Sequence, residues 1–482
     1  MKINALFICL FSVLSFAQEK QEKCNCEQNF QWVKKTFEEN DAGFQYALEQ
    51  KGKDAYQANN ERILIKVKKA KTLNECTPVL YEWLTFFRSG HINIRTNENV
   101  QTQAPGIPSI ITNPDQETVK IKRKEFDQYL TTIKEPSYEG IWKTGPYVIG
   151  IKKTGNNYVG FILEQEGTGW REGQVKLKIN TDKTGDKGVF FIRDFTKQEN
   201  LPVKMIGKNH LSIGQFSFVR NASPFKDSEE INNYIEAISA TKPYFKKISE
   251  TTTYIRIPSF GEQYKKAIDS IISANSSLIE NTPNFIIDIR DNGGGSDMSF
   301  SKLLPLLYTN PIRTVGVLYY STPLNNKRML DLAEDKNFSE LSQTYFKKAY
   351  ATLNTQLGKF VQLDESGIEV DQYSTVLKYP QKIAILINNG NGSTAEQFLL
   401  AAKQSTKVKL MGTTTAGVLD ISNMYYVDAP CKEFKLGYSL SKSLRIPNMA
   451  IDGKGIQPDY YLDSEIPDEK WIKFAEETLD HK

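Results

Sequence analysis

From residue 27 to residue 89 apolar side chains recur every three or four positions, as in FQWVKKTF and VLYEWLTFF, with few breakers. That period predicts a small helical domain over 24–98. Ser89-Gly90 reads as a helix stop, and HINIRT then alternates like a short strand, which leaves His91 at a helix-strand junction. Between 101 and 223 the period shortens to two. YVIGIKK, YVGFILE, QVKLKIN, GVFFIRD and HLSIGQFSFV are separated by Gly, Asn and Asp turns, which predicts a β-rich barrel or sandwich domain. Over 225–475 helical and strand patterns alternate, through NNYIEAIS, TTYIRIPSF, AIDSIISANSSLI, FIIDIR, IAILIN and VKLMG. This is the pattern of an α/β core with a mainly parallel sheet. A more charged stretch, 319–379, interrupts that core, and its segment FSELSQTYFKKAYATLNTQL is amphipathic and helical. It reads as an insertion, either a lid or a peripheral decoration.

The N-terminus changes the picture of where the protein works. Met1-Lys2 precedes the apolar run ALFICLFSVLSFA, which is about half of the roughly 20 residues a membrane span requires. Ser15-Phe16-Ala17 approximates a small-x-small cleavage site, so 1–17 is expected to be a signal peptide. The expectation is export to the periplasm or cell surface of a bacterium, with no integral membrane segment after cleavage. Lys+Arg 61 against Asp+Glu 57 gives +4 over 482 residues, too small a surplus to imply nucleic acid as a partner. Export also permits disulfides among Cys24, Cys26, Cys76 and Cys431, and Cys24 or Cys26 with Cys76 is the expected bridge. Cys24-Asn25-Cys26 has the wrong spacing for a zinc knuckle, and the 3 histidines, His91, His210 and His481, are too few for a histidine-rich metal centre. No metal or cofactor is expected.

Two segments carry candidate chemistry. Asn391-Gly392-Ser393-Thr394-Ala395-Glu396 follows the strand IAILIN and opens the helix EQFLLAAKQ, aiming a serine hydroxyl out of a tight turn. Unpaired N-H groups at the helix start suit the oxyanion formed when a serine attacks a carbonyl. Ser393-x-x-Glu396 is also a capping box, and by itself the segment is explained by that role. After FIIDIR comes Asp291-Asn292-Gly293-Gly294-Gly295-Ser296-Asp297, whose three glycines suit an anion nest or a merely tight turn. No Gly-x-Gly-x-x-Gly pattern or Gly-Lys-Ser/Thr loop supports a nucleotide site.

YIRIPSF, IIDIRDNGGGSD, ILINNGNGSTAEQF, LMGTTTAG and GKGIQPDYY, in this order over about 252–461, resemble the peptidase core of tail-specific, or carboxy-terminal processing, proteases and their tricorn-like relatives. The resemblance implies a crotonase-like α/β core and a serine endopeptidase acting on a protein or peptide. It makes Ser393 the nucleophile and assigns the oxyanion hole to Gly294 and the N-H of Thr394. Lysine-dependent members carry their base in a Thr-aromatic-Gly-Lys-Gly run that aligns here with Thr415-Ala416-Gly417-Val418-Leu419, so Val418 stands in the lysine's place. A valine accepts no proton. FFRSGHINI resembles the segment that holds the histidine base of tricorn-like members, which makes His91 the expected base. Asp452, in IDGKGIQPD, is expected to orient His91, with Ser89 and Glu396 as further supporting residues and an ordinary Asp-Gly turn as the alternative for Asp452. The family's carboxylate-binding PDZ loop is not recognised in 101–223, so selection of protein tails is not implied. Two alternatives stay open: non-catalytic binding of an apolar ligand or peptide, as in a retinoid-binding module with a similar core, and an esterase.

Overall fold

The computed structural model describes residues 24–97, 111–183 and 185–481; the expected signal peptide and the start of the β-rich segment lie outside them. The chain forms two compact units, and their boundaries cut across the sequence domains. One comprises Met1–Thr102, Val315–Glu369 and Val418–Gly453, and the other Gln103–Thr314, Val370–Gly417 and Lys454–Lys482. The expected insertion 319–379 is therefore divided between them.

In the first unit, helices Cys26–Asn40, Phe44–Lys51, Lys53–Lys69 and Leu73–Thr85 follow the three-to-four spacing of their apolar residues. Capping boxes start two of them, Asn25 with Gln28 and Thr72 with Glu75. Phe30, Val33, Phe37, Leu80, Trp83 and Phe87 meet in one core. That core is closed by Leu436, Tyr438 and Leu440 of strand Phe434–Ser443. The same strand pairs with Asn93–Thr96, Val317–Tyr320 and Ile421–Asp428, so 317–320 is woven into the unit's sheet. Helices Pro323–Glu334 and Glu340–Asn354 pack on each other through Met329, Ala349 and Leu353. Two disulfides tie the unit, Cys26–Cys76 and Cys24–Cys431. The first was among the expected pairs; the second spans 407 residues, which spacing along the chain gives no reason to choose.

The second unit contains a closed barrel of eight strands between Gly140 and Arg220. Its first and last strands pair at Trp142↔Arg220, which decides between barrel and sandwich. Inward residues such as Trp142, Ile149, Ile151, Ile162, Leu177 and Phe218 fill it. A charged residue among them is Lys176, fully buried, with Nζ 3.7 Å from the Trp170 ring centroid, 4.0 Å from that of Tyr147 and 3.1 Å from Ile192 O. Burial pushes its pKa down to about 7.

The α/β part of this unit is a six-stranded sheet. Tyr244–Lys247, Thr252–Arg256, Asn284–Asp288, Lys382–Ile387, Val408–Gly412 and Tyr460–Tyr461 lie in that order, antiparallel at the first pair and parallel thereafter. Thr252–Arg256 and Asn284–Asp288 are buried at every position, as strands covered on both faces must be. Asp288, at the end of its strand, accepts from Arg290, Arg256 and Tyr254 in a fully buried cluster. Among the described residues no helix is long and apolar enough to cross a membrane.

Lys176 gives the barrel a testable pH signature. A lysine whose pKa is lowered on folding leaves the unfolded chain binding more protons between pH ~7 and ~10, so stability should rise with pH across that window. From pH 7 to pH 9 the gain expected is ~2 kcal/mol. Thermal unfolding of the barrel should show this rise in the wild type and lose it in Lys176→Met.

Candidate active site

Strand Lys382–Ile387 ends in a turn, and helix Thr394–Ala402 begins seven residues later, with Ser393 at φ 56° and ψ -125°. For a non-glycine residue such a backbone costs about 1–3 kcal/mol, so its surroundings must impose it. Asn391 does much of this. Fully buried, it accepts the Asn388 N-H at 2.7 Å, donates Nδ2 to Ile289 O and, at 3.3 Å, to Asn292 O. Its own carbonyl accepts from the Ala416 N-H at 2.8 Å.

The glycine loop is held by a second buried amide. Asn292 Oδ1 accepts from the N-H groups of Phe260 and Gly294, at 3.2 and 3.0 Å, while its Nδ2 donates to Ile257 O at 3.1 Å. The loop then rests directly on the serine turn. A Cβ on Gly294, which has φ +103°, would lie 2.7 Å from Gly392 O and 2.9 Å from both Ser393 Cβ and Thr394 N. Only glycine fits there. The expected pair of oxyanion donors is thus brought together but unequal: Thr394 N-H opens the helix, whereas Gly294 N-H already donates to Asn292.

The capping box is corrected. Ser393 makes no capping hydrogen bond, because an N-cap needs extended backbone and Ser393 has a positive φ. Glu396 turns instead into the interior, fully buried, where Oε1 accepts from Thr415 Oγ1 at 2.5 Å and the Gly417 N-H at 2.7 Å. It secures the 415–417 segment, and Thr415 Oγ1 in turn accepts from the Ile456 N-H at 2.7 Å.

His91, Ser89 and Asp452 belong to the other unit. His91 also has a left-handed backbone, φ 52°. Its Nδ1 lies 2.7 Å from the Ile421 carbonyl. A carbonyl only accepts, so Nδ1 carries the proton and Nε2 is the basic nitrogen. Burial pushes the imidazole pKa down to about 4, helped by the nearby Arg88 charge and opposed by the Ile421 bond and Asp41. Asp452 is not the direct partner of His91. Its carboxylate accepts the N-H groups of Leu419, Asp420 and Ile421 at 2.6, 2.7 and 3.2 Å, and so fixes the segment whose Ile421 carbonyl meets the imidazole. Burial raises the Asp452 pKa to about 6. Ser89 is exposed in the bend before His91, so no buried partner role falls to it. Val418 packs beside that bend: a Cβ on Gly90 would lie 2.5 Å from Val418 Cγ1.

Residues that sequence reading passed over are Asn292, Asn391, Asp41, Arg88 and Ile421. The two asparagines did carry a signal, since each precedes the glycine of a chemically interesting turn. The others did not: Asp41 and Arg88 are 47 residues apart, and Ile421 contributes only its backbone.

Glu396→Ala separates the two roles considered for this residue. Loss of a helix cap costs about 1 kcal/mol. Removing a buried acceptor on which the Thr415 hydroxyl and the Gly417 N-H both depend should cost about 2–4 kcal/mol, read as a lowered denaturation midpoint. A loss at the capping level would contradict the interior role.

Comparison with known proteins is consistent with this geometry. The description Peptidase family S41 matches residues 251–462. Among solved structures, mature CPAF complexed with lactacystin superposes with a TM-score of 0.53 at 13% identity, over 95% of this chain and 97% of that one. Mature CPAF by itself gives 0.51 at 14% identity, over 95% of both. At such identity these likenesses speak for the fold. No curated protein matches the chain. Residues 251–462 thus match peptidase family S41, the family of serine peptidases that the core segments resemble, in a chain that also carries an eight-stranded barrel and a helical N-terminal region.

Proposed function

We propose that the protein is an exported serine endopeptidase with a crotonase-like core, in which Ser393 attacks the scissile carbonyl and His91 is the base. The observation that carries this reading is the left-handed backbone of Ser393, imposed by buried amides at the start of a helix and directly against a glycine loop. Strain of this kind at a serine is expected where its hydroxyl must be presented for attack. His91 Nε2 takes the hydroxyl proton and returns it to the leaving amine. The Thr394 N-H receives the oxyanion, joined by Gly294 N-H as that donor leaves Asn292 Oδ1. Asp452 acts on His91 through Ile421 rather than by contact. Val418 leaves no lysine for the task. Export is supported by the N-terminal apolar run and by two disulfides, which persist in oxidising compartments. The crotonase-like assignment is supported by the parallel order of the central strands.

A fluorophosphonate probe tests the nucleophile: the wild type should label and Ser393→Ala should not. Equal labelling would leave non-catalytic binding as the better reading, and preference for simple esters over a mixed peptide library would favour an esterase.

The pH profile tests the base. His91 must be neutral to accept a proton, and burial holds its pKa at about 4. The acid limb of kcat/KM, which reports the free enzyme, should therefore fall near pH 4 to 5 instead of near the ordinary histidine value of about 6.5. An acid limb at 6.5 would contradict a buried imidazole base.

A further inference from the structure

The bend that carries His91 is held from behind by a closed network that has no counterpart in the expectations from sequence. Asp41 is fully buried and accepts four hydrogen bonds, from Arg88 Nη1 at 2.7 Å, Arg88 Nη2 at 2.6 Å, the Gly43 N-H at 2.9 Å and the Ser439 N-H at 3.0 Å. The guanidinium held in this fork turns its remaining donors on the bend. Nε donates to Gly90 O at 3.0 Å and Nη2 to His91 O at 2.9 Å. Ser439 Oγ donates to the same His91 carbonyl at 3.1 Å.

We propose that Asp41, Arg88 and Ser439 are positioning residues for the base, clamping the Gly90 and His91 carbonyls so that the imidazole keeps its proton on Nδ1 and its lone pair on Nε2. Three observations converge on this. The His91 backbone, at φ 52°, is one a non-glycine residue seldom adopts, and both carbonyls flanking it are taken by the clamp. A lysine could not do the same work, since only a planar fork reaches two carboxylate oxygens and two carbonyls together. The imidazole hydrogen bond to Ile421 depends on the bend's placement, because Ile421 is itself pinned by Asp452. The clamp fixes one side of that bond and Asp452 the other.

This inference rests on His91 being the base of the proposed peptidase. Its test uses the full mature chain and two variants. Arg88→Lys keeps the charge and loses the fork; Ser439→Ala removes one donor to His91 O and leaves the ion pair. Misplacement of a base by a fraction of an ångström should lower kcat about tenfold or more in Arg88→Lys and about threefold in Ser439→Ala, with KM nearly unchanged. Imidazole nitrogen NMR supplies a readout that a merely structural role would not move: with 3 histidines in the chain, the His91 Nδ1-H signal is assignable through His91→Asn. It should lose its single-tautomer character in both variants. Wild-type kcat together with an unchanged His91 tautomer in a folded Arg88→Lys would overturn the proposal. Should Arg88→Lys fail to fold, the same result in Ser439→Ala overturns it. Failure of the underlying reading looks different: His91→Asn would then retain wild-type activity, while the tautomer shift would still decide whether the clamp positions the ring.

Discussion

The close approach of two loops in the α/β unit, with no side chain between them, is the constraint on which the serine site depends. Gly294 sits so near Gly392 and Thr394 that a single methyl group would collide with backbone on both sides. Loops held this close expose polar backbone that water cannot reach, and each group left unpaired would cost about 1–3 kcal/mol. Asn292 and Asn391 satisfy that requirement from within. Their amides bond to backbone in both loops and at the strand ends beneath them, and neither side chain is exposed. The strained Ser393 backbone is a consequence of this packing, held in place by groups whose loss would cost more than the strain.

On the other unit, acidic residues near His91 act through intermediaries. Asp452 spends its oxygens on three backbone amides, and Asp41 spends its own on a guanidinium and two amides. Neither carboxylate faces the imidazole as a hydrogen-bond partner. The physical effect differs from that of a carboxylate bonded to the ring, which would stabilise imidazolium and raise its pKa. A backbone carbonyl fixes the tautomer with only a partial charge, and burial then keeps the ring neutral. The arrangement favours an imidazole that is neutral over one that is already charged.

Much of the architecture was legible because it follows from local period. The three-to-four spacing through FQWVKKTF, the alternation in YVIGIKK and the continuous apolar run of FIIDIR each correspond to the elements found there. What the period could not show was partnership. Barrel and sandwich share one alternation, and only the pairing of Trp142 with Arg220 distinguishes them. Likewise, the amphipathic stretch after residue 319 looks like an appendage along the chain. Its first strand in fact completes the sheet beside 434–443, because a sheet edge accepts any strand of suitable register regardless of distance in sequence.

The same division runs through the site. The residues themselves determined that a serine stands at a strand-to-helix turn, that a triple-glycine loop follows the preceding strand and that valine stands at 418, where the resemblance would put a lysine, since these are matters of order and side-chain type. Tertiary structure decided what those side chains do. Ser393 does not cap its helix with its side chain, because the packed loops force its φ positive; Glu396 turns into the interior, where donors meet it at 2.5 and 2.7 Å. Asp452 meets amides instead of the imidazole, and His91 is held by an arginine and an aspartate 47 residues apart. Hydrogen bonds depend on positions in space, and the chain's order constrains those positions only after every element has packed.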